Sequence, residues 1–97
     1  MSSRTVLIDT DAAGDYTYER PCFGLILAVL TDVGDLDTPN IVISDSVSAT
    51  TIRTLTGLAA DDYWQPATPV AVFGTLRVAV TDGGDTKHGR VRFLLET

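Results

Sequence analysis

Short runs of β-branched and aliphatic residues, separated by turn-forming residues, recur along this chain at intervals of about eight to twelve residues. This spacing is typical of a β-sandwich or a small barrel, and it leaves no segment long enough for an ordinary helix. A parallel sheet is excluded because its crossover connections need helices. With 97 residues, the chain has room for one core. We therefore predict a single domain over residues 1–97, built as a two-sheet antiparallel β-sandwich of about seven to eight short strands.

Strict alternation of polar and apolar residues is clearest near the two ends of the chain. Residues 4–10 and 90–95 alternate, and so do residues 74–81. These patterns, with the apolar runs between them, predict which side chains face the core. The predicted core residues are Val6, Ile8, Leu25, Leu27, Val29, Ile41, Ile43, Leu76, Val78, Val80, Val91, Phe93 and Leu95.

Between these patterns, turn residues divide the chain. Residues 11–15 predict a hairpin turn in which Gly14 takes a positive φ, and Pro21 is expected to end the strand that follows. Residues 23–30 are apolar on both faces, which favours a central strand. The segment 50–56 breaks alternation and predicts a β-bulge.

Residues 57–68 are the least regular part of the chain. Residues 58–64 could form one helical turn, which Pro66 would end. Tyr63, Trp64 and Pro66 are the candidate contact with a partner, because rigid aromatic side chains are enriched at protein interfaces. The alternative, which the sequence leaves open, is that Trp64 covers one end of the core.

The charge distribution constrains the partners. Thirteen acidic and seven basic residues give a net charge of −6, and no polybasic run is present. Such a charge repels phosphate backbones and anionic lipids, so neither nucleic acid nor a membrane is an expected partner. The N-terminus resembles no signal peptide and Cys22 is the only cysteine, so we expect synthesis and folding in a cytoplasm.

Two acidic segments resemble ligand sites at first sight. Asp32, Asp35, Asp37 and Asp45 lack the spacing and the closing glutamate of a calcium loop. The segment 82–85 (Asp-Gly-Gly-Asp) is glycine-rich but has no following helix and no positive field, so it predicts a tight turn. We predict neither a metal site nor a cofactor site.

No catalytic arrangement is evident either. Cys22 and His88 are the only classical nucleophile and base, and no nucleophile motif surrounds them. Cys22 begins the most apolar run, which favours a buried structural role. Asp61 and Asp62 are adjacent and so point apart in an extended chain. The sequence therefore predicts no catalytic residues and a protein that is not an enzyme.

Three stretches carry a family resemblance: residues 24–43, residues 63–66 (Tyr-Trp-Gln-Pro), and residues 76–91. Over about residues 5–96, the chain resembles small proteins encoded in the structural gene modules of tailed bacteriophages. The resemblance implies a component of the virion that contacts other virion proteins, either the major capsid protein or proteins of the neck or tail. It transfers no catalytic role to any residue.

An acidic protein is poorly placed beside packaged DNA, so an outer surface fits the charge better. We therefore expect a capsid decoration protein on the outer surface of the head, present as a homo-oligomer or a symmetric array. The first alternative is a neck, head–tail or tail component. The second is a carbohydrate- or ligand-binding β-sandwich module that uses Tyr63 and Trp64 as its platform.

Overall fold

The computed structural model describes residues 2–97 and places them in one antiparallel sheet of seven strands, with no helix among those residues. The all-β prediction is confirmed, whereas a division into two separate sheets is not. The strands follow the order β1-β7-β2-β6-β3-β4, and β5 pairs with β2. Their bounds are β1 Ser2–Asp9, β2 Tyr16–Asp32, β3 Asn40–Asp45, β4 Thr50–Leu55, β5 Asp62–Trp64, β6 Val70–Thr81 and β7 His88–Glu96.

The long strand β2 organises the sheet. Its 17 residues would span more than about 50 Å if straight, but the longest dimension of the molecule is 34 Å. The strand must therefore bend. Its first part, Tyr16–Ile26, pairs with β6, and its last part, Leu25–Asp32, pairs with β7. A β-bulge between Ile26 and Ala28 lies where the two parts meet.

The expectation that Pro21 ends a strand is wrong, because β2 continues through it. Proline cannot donate a backbone hydrogen bond, so a strand tolerates it where its nitrogen faces an open edge. The nitrogen of Pro21 faces such an edge, on the same side of the strand as its carbonyl. The Pro21 carbonyl points away from β6 and accepts a hydrogen bond from Arg4 Nη1 at 2.9 Å.

One cluster of buried side chains draws on β1, β2, β3, β4, β6 and β7, so the curved sheet encloses a single core. Eleven of the thirteen predicted core residues belong to this cluster. Leu25 and Leu27 are the errors: Leu25 is 39% exposed and Leu27 is half-buried, while Ile26 is fully buried. The bulge explains the shift, because an extra residue reverses which positions face inward.

Several local predictions are tested by the other strands. The bulge in β4 is confirmed: Ile43 pairs with Arg53 and Ser44 with Thr51, so Ile52 is the extra residue. The suggested helical turn at residues 58–64 is wrong, because residues 62–64 form β5 and pair with β2. Pairing with the second part of β2 supplies hydrogen bonds that an isolated turn would lack.

Three connections meet at one end of the molecule, and we refer to residues 10–15, 33–39 and 82–87 together as the acidic loop end. Gly83 donates its N–H to the Gly14 carbonyl at 2.8 Å, and Asp37 donates its N–H to the Gly83 carbonyl at 3.0 Å. Gly14 has a φ of 84°, as predicted. These connections hold six of the thirteen acidic residues.

No helix within residues 2–97 is long and apolar enough to cross a membrane.

Candidate interaction surface

Two phenylalanine side chains stand side by side on the outer face of the sheet. Phe23 of β2 lies directly opposite Phe73 of β6, and their exposed fractions are 70% and 66%. The backbone groups of Phe23 point away from β6, as those of Pro21 do, so the two phenylalanines occupy a non-hydrogen-bonded pair. Side chains approach most closely in such pairs. We call Phe23 and Phe73 the aromatic pair.

The sheet is only two strands wide at this point. Between Pro21 and Gly24, β2 has β6 as its only strand partner within residues 2–97, and β3 does not extend as far as Phe73. Several backbone groups along the two free edges are bound by side chains. Arg20 donates to the Glu19 carbonyl at 2.9 Å on the β2 edge, and Asp45 accepts from the β6 edge.

Asp45 binds the free edge of β6 from a buried position at the end of β3. Its carboxylate accepts the N–H groups of Phe73 at 2.6 Å, Val47 at 3.1 Å and Thr75 at 3.4 Å. The hydrogen bond from Phe73 is the largest cause that lowers the pKa of Asp45 below its ordinary value. The carboxylate thus holds the strand that carries Phe73 in place.

A shallow apolar groove lies on the outer face of the second part of β2. Leu30 of β2 lies between Tyr63 of β5 and Arg92 of β7, and Ala28 lies opposite Leu94 in the next row. These residues, with Ser3 and Phe93, enclose about 230 Å³. The walls are almost entirely carbon, apart from the Arg92 side chain at the rim. We call this feature the apolar groove.

The residues predicted as a partner contact are divided by the structure. Tyr63 faces outward in the apolar groove and is 63% exposed. Trp64, the next residue in β5, faces inward against the core, as alternation requires. The Arg53 guanidinium lies 4.9 Å from the centre of the Trp64 ring and binds Asp62 at 3.0 Å. Pro66 is half-buried in the connection after β5.

Because Tyr63 and Trp64 point to opposite faces of β5, they do not form a shared flat platform. Of the two roles considered for Trp64, packing against the core is the one that its position supports.

The sequence interpretation missed Phe23, Phe73 and Leu30 as surface residues. A signal for Phe23 and Leu30 was present, because residues 23–30 are apolar on both faces and a lone 97-residue domain can bury only one. A strand that is apolar on both faces but covered on one indicates an interface. Phe73 had no such signal, since only the register of β6 against β2 places it beside Phe23.

The aspartates considered as calcium ligands have separate structural roles. Asp32 accepts the Gly34 N–H at 3.0 Å and binds Arg90 at 3.2 Å. Asp35 accepts the His88 N–H, and this hydrogen bond is the largest cause that lowers the pKa of Asp35. No group of three potential ligands from His, Cys, Asp and Glu occurs in the described part of the chain.

The candidate nucleophile and base are also placed apart in the topology. Cys22 is buried in β2 opposite Gly74. His88 is exposed at the start of β7, where its Nδ1 lies 2.8 Å from Asp9 Oδ1. Asp61 accepts the Val33 N–H at 3.0 Å, so it too has a structural role. The Asp-Gly-Gly-Asp segment lies in the connection between β6 and β7, as the tight-turn interpretation predicted.

The fold and these surfaces together define a small all-β domain with exposed apolar side chains on the outer face of its sheet. No protein-family model matches the chain, and no curated protein matches it in a sequence comparison.

Proposed function

We propose that this chain is a non-enzymatic structural protein of a tailed-bacteriophage virion, and that it acts as a capsid decoration protein on the outer surface of the head. The proposal begins from the sequence resemblance to phage structural proteins. Within the virion, the partner is the major capsid protein, together with neighbouring copies of this chain.

The observation that carries the proposal is the exposure of the aromatic pair. Phe23 and Phe73 are each about two-thirds exposed on a molecule that has only 5129 Å² of accessible surface. Exposed apolar side chains that lie together on a small acidic domain are typical of a surface that other proteins cover. A subunit of an assembly covers such a surface permanently, whereas a free monomer leaves it in water.

The shape and charge of the domain are consistent with this role. If the two parts of β2 belong to two layers, as in a sandwich, then the apolar groove lies on the outside of one layer. The net charge of −6 disfavours contact with packaged DNA and favours the outer surface. Decoration adds burial between neighbouring capsomers, and small domains that carry apolar surface suit that task.

The first alternative, a neck or tail component, uses the same exposed surface and differs only in its partner. The second alternative, a carbohydrate-binding module, was based on Tyr63 and Trp64 as one platform. It would need another binding surface, because those two side chains face opposite sides of β5.

Quantitative mass spectrometry of purified particles tests the proposal. The particles should come from the strain that encodes this chain, and the reference is the major capsid protein. A copy number comparable to that of the major capsid protein is the expected result. A copy number equal to a single ring would support the neck or tail alternative instead, and absence from the particles would contradict a virion role.

Add-back to particles that lack the protein tests the surface itself. Purified wild-type chain should bind such particles, and Phe23→Ser combined with Phe73→Ser should bind more weakly while remaining folded. Leu7→Ser is the matched control, because Leu7 is similarly exposed, at 62%, but lies on β1. Equal loss of binding in the control would show that general surface hydrophobicity, rather than the aromatic pair, holds the protein on the particle.

A further inference from the structure

The aromatic pair and the apolar groove are complementary features of the same chain. One is a projection of two phenylalanine rings, and the other is a depression with carbon walls. We propose that copies of this chain join through these features, with the aromatic pair of one copy inserted into the apolar groove of another. This inference deepens the proposed structural function, on which it rests in supposing that copies assemble with one another.

The size of the groove fits a phenyl ring. A closed apolar cavity of about 150 Å³ is sufficient to hold benzene. The apolar groove encloses about 230 Å³ and is open on one side, so a ring can enter while its strand stays outside. Leu30 and Leu94 form the walls, and Tyr63 adds an aromatic face against which an incoming ring can stack.

The aromatic pair cannot fill the groove of its own chain. Phe23 precedes Ala28 by five residues along β2, a separation of about 16 Å in an extended strand. Side chains stand roughly perpendicular to the sheet, so Phe23 cannot lie down along the strand to reach the groove. The aromatic pair can therefore enter only the groove of another molecule.

The charges beside the two features favour a second copy as that molecule. Arg92 lies at the rim of the apolar groove and has no ion-pair partner within residues 2–97. Glu96 lies opposite Leu25, two positions along β2 from Phe23, and is likewise without an ion-pair partner in that part of the chain. The two unpaired charges are of opposite sign, so insertion in the orientation that places Glu96 of one copy beside Arg92 of the next would pair them.

The test uses two double variants of the full chain and follows association by sedimentation velocity. The first, Phe23→Ser with Phe73→Ser, removes the aromatic pair and keeps the groove. The second, Leu30→Ser with Tyr63→Ser, alters the groove and keeps the aromatic pair. We expect the wild-type chain to associate in a concentration-dependent way, and each variant alone to sediment as a monomer. Circular dichroism and thermal melting verify that both variants fold.

Mixing the two variants distinguishes this contact from other modes of association. The first variant still has a groove and the second still has an aromatic pair, so an equimolar mixture should form a one-to-one complex. If the aromatic pairs of two copies instead contacted each other, the second variant would associate by itself and mixing would form no complex between the two variants, and the proposal would be wrong. A monomeric wild-type chain at high concentration, or variants that associate as the wild type does, would also overturn it.

Leu7→Ser again serves as the control, and it should associate as the wild type does. Because these measurements use the purified chain alone, their failure is distinguishable from failure of the virion role. A chain found at high copy number on particles but monomeric in solution would retain the proposed function and lose this contact.

Discussion

Individual side chains in β5 have opposite roles despite being neighbours in sequence. Tyr63 lies in the apolar groove, whereas Trp64 packs against the core beneath the Arg53 guanidinium. The difference follows from the pleat of a strand, which directs successive side chains to opposite faces. Substituting each of these two residues separately can therefore distinguish an effect on folding from an effect on binding.

We predict that Trp64→Ala lowers the free energy of unfolding by an amount near the lower end of the range of about 3–5 kcal/mol that is typical for loss of a large buried ring. The lower end applies because Trp64 is only partly buried. Tyr63→Ala should change it by only about 0.5 kcal/mol, since its side chain is mostly exposed. Urea denaturation of the two variants measures both values. A larger loss for Tyr63→Ala than for Trp64→Ala would contradict the assignment of these side chains.

Asp45 gives the molecule a specific sensitivity to acid. Its pKa in the folded protein lies below the ordinary value of 3.8, chiefly because the Phe73 N–H donates to the carboxylate. A carboxyl group whose pKa is lowered by folding stabilises the folded state fully above its unfolded pKa. That contribution is lost as the pH falls below about 3.8 towards the folded pKa.

We therefore expect Asp45→Asn to lower the melting temperature at neutral pH, with a difference from wild type that narrows below about pH 3.8. Thermal melts of both proteins between neutral and acidic pH measure this difference. Asp37→Asn is the control, because Asp37 is an exposed loop residue, and it should not melt below wild type at any pH. A constant difference for Asp45→Asn at every pH would show that its charge is not the stabilising feature.

Among the strands, β2 determines the architecture of the sheet. It contributes buried residues to both parts of the sheet, and the bulge after Ile26 changes which of its residues face inward. Its first part also has an open edge, which Pro21 and the Arg4 and Arg20 side chains protect.

The bulge predicts unequal effects for two adjacent aliphatic residues. Ile26→Ala should destabilise the protein by about 2–5 kcal/mol, because Ile26 is fully buried. Leu27→Ala should cost less, because Leu27 is only half-buried beside the bulge. Chemical denaturation of the two variants gives the comparison, and a greater cost for Leu27→Ala would place the bulge elsewhere in β2.

Pro21 predicts an effect on aggregation rather than on folding. Pro21→Val adds a backbone N–H to the open edge of β2, and such donors promote pairing with strands of other molecules. We expect faster growth of light scattering on incubation, with little change in melting temperature. Pro69→Val is the control, since Pro69 lies in the exposed connection before β6. Equal aggregation of Pro21→Val and wild type would show that Pro21 does not protect this edge.

The whole molecule has an uneven distribution of charge. Six aspartates occupy the acidic loop end, where three connections are held together by backbone hydrogen bonds. Like charges at such close quarters oppose folding, and dissolved salt screens that repulsion.

We expect the melting temperature to rise when sodium chloride is raised from about 0.01 M to about 0.15 M, as the screening length shortens from about 30 Å to about 8 Å. Calcium and magnesium at equal concentrations should have equal effects, and chelation should leave the melting temperature unchanged. A rise of several degrees with calcium alone would reveal a specific calcium site.

The sequence alone determined the all-β class and most of the inward-facing residues in β1, β6 and β7. It could do so because alternation along a strand is a local property that its own side chains reveal. The tertiary structure alone decided the course of β2 through Pro21, the strand at residues 62–64 and the pairing of Phe23 with Phe73. Each of these depends on which strand lies beside a given backbone edge. That neighbour comes from a distant part of the chain, so no local pattern specifies it.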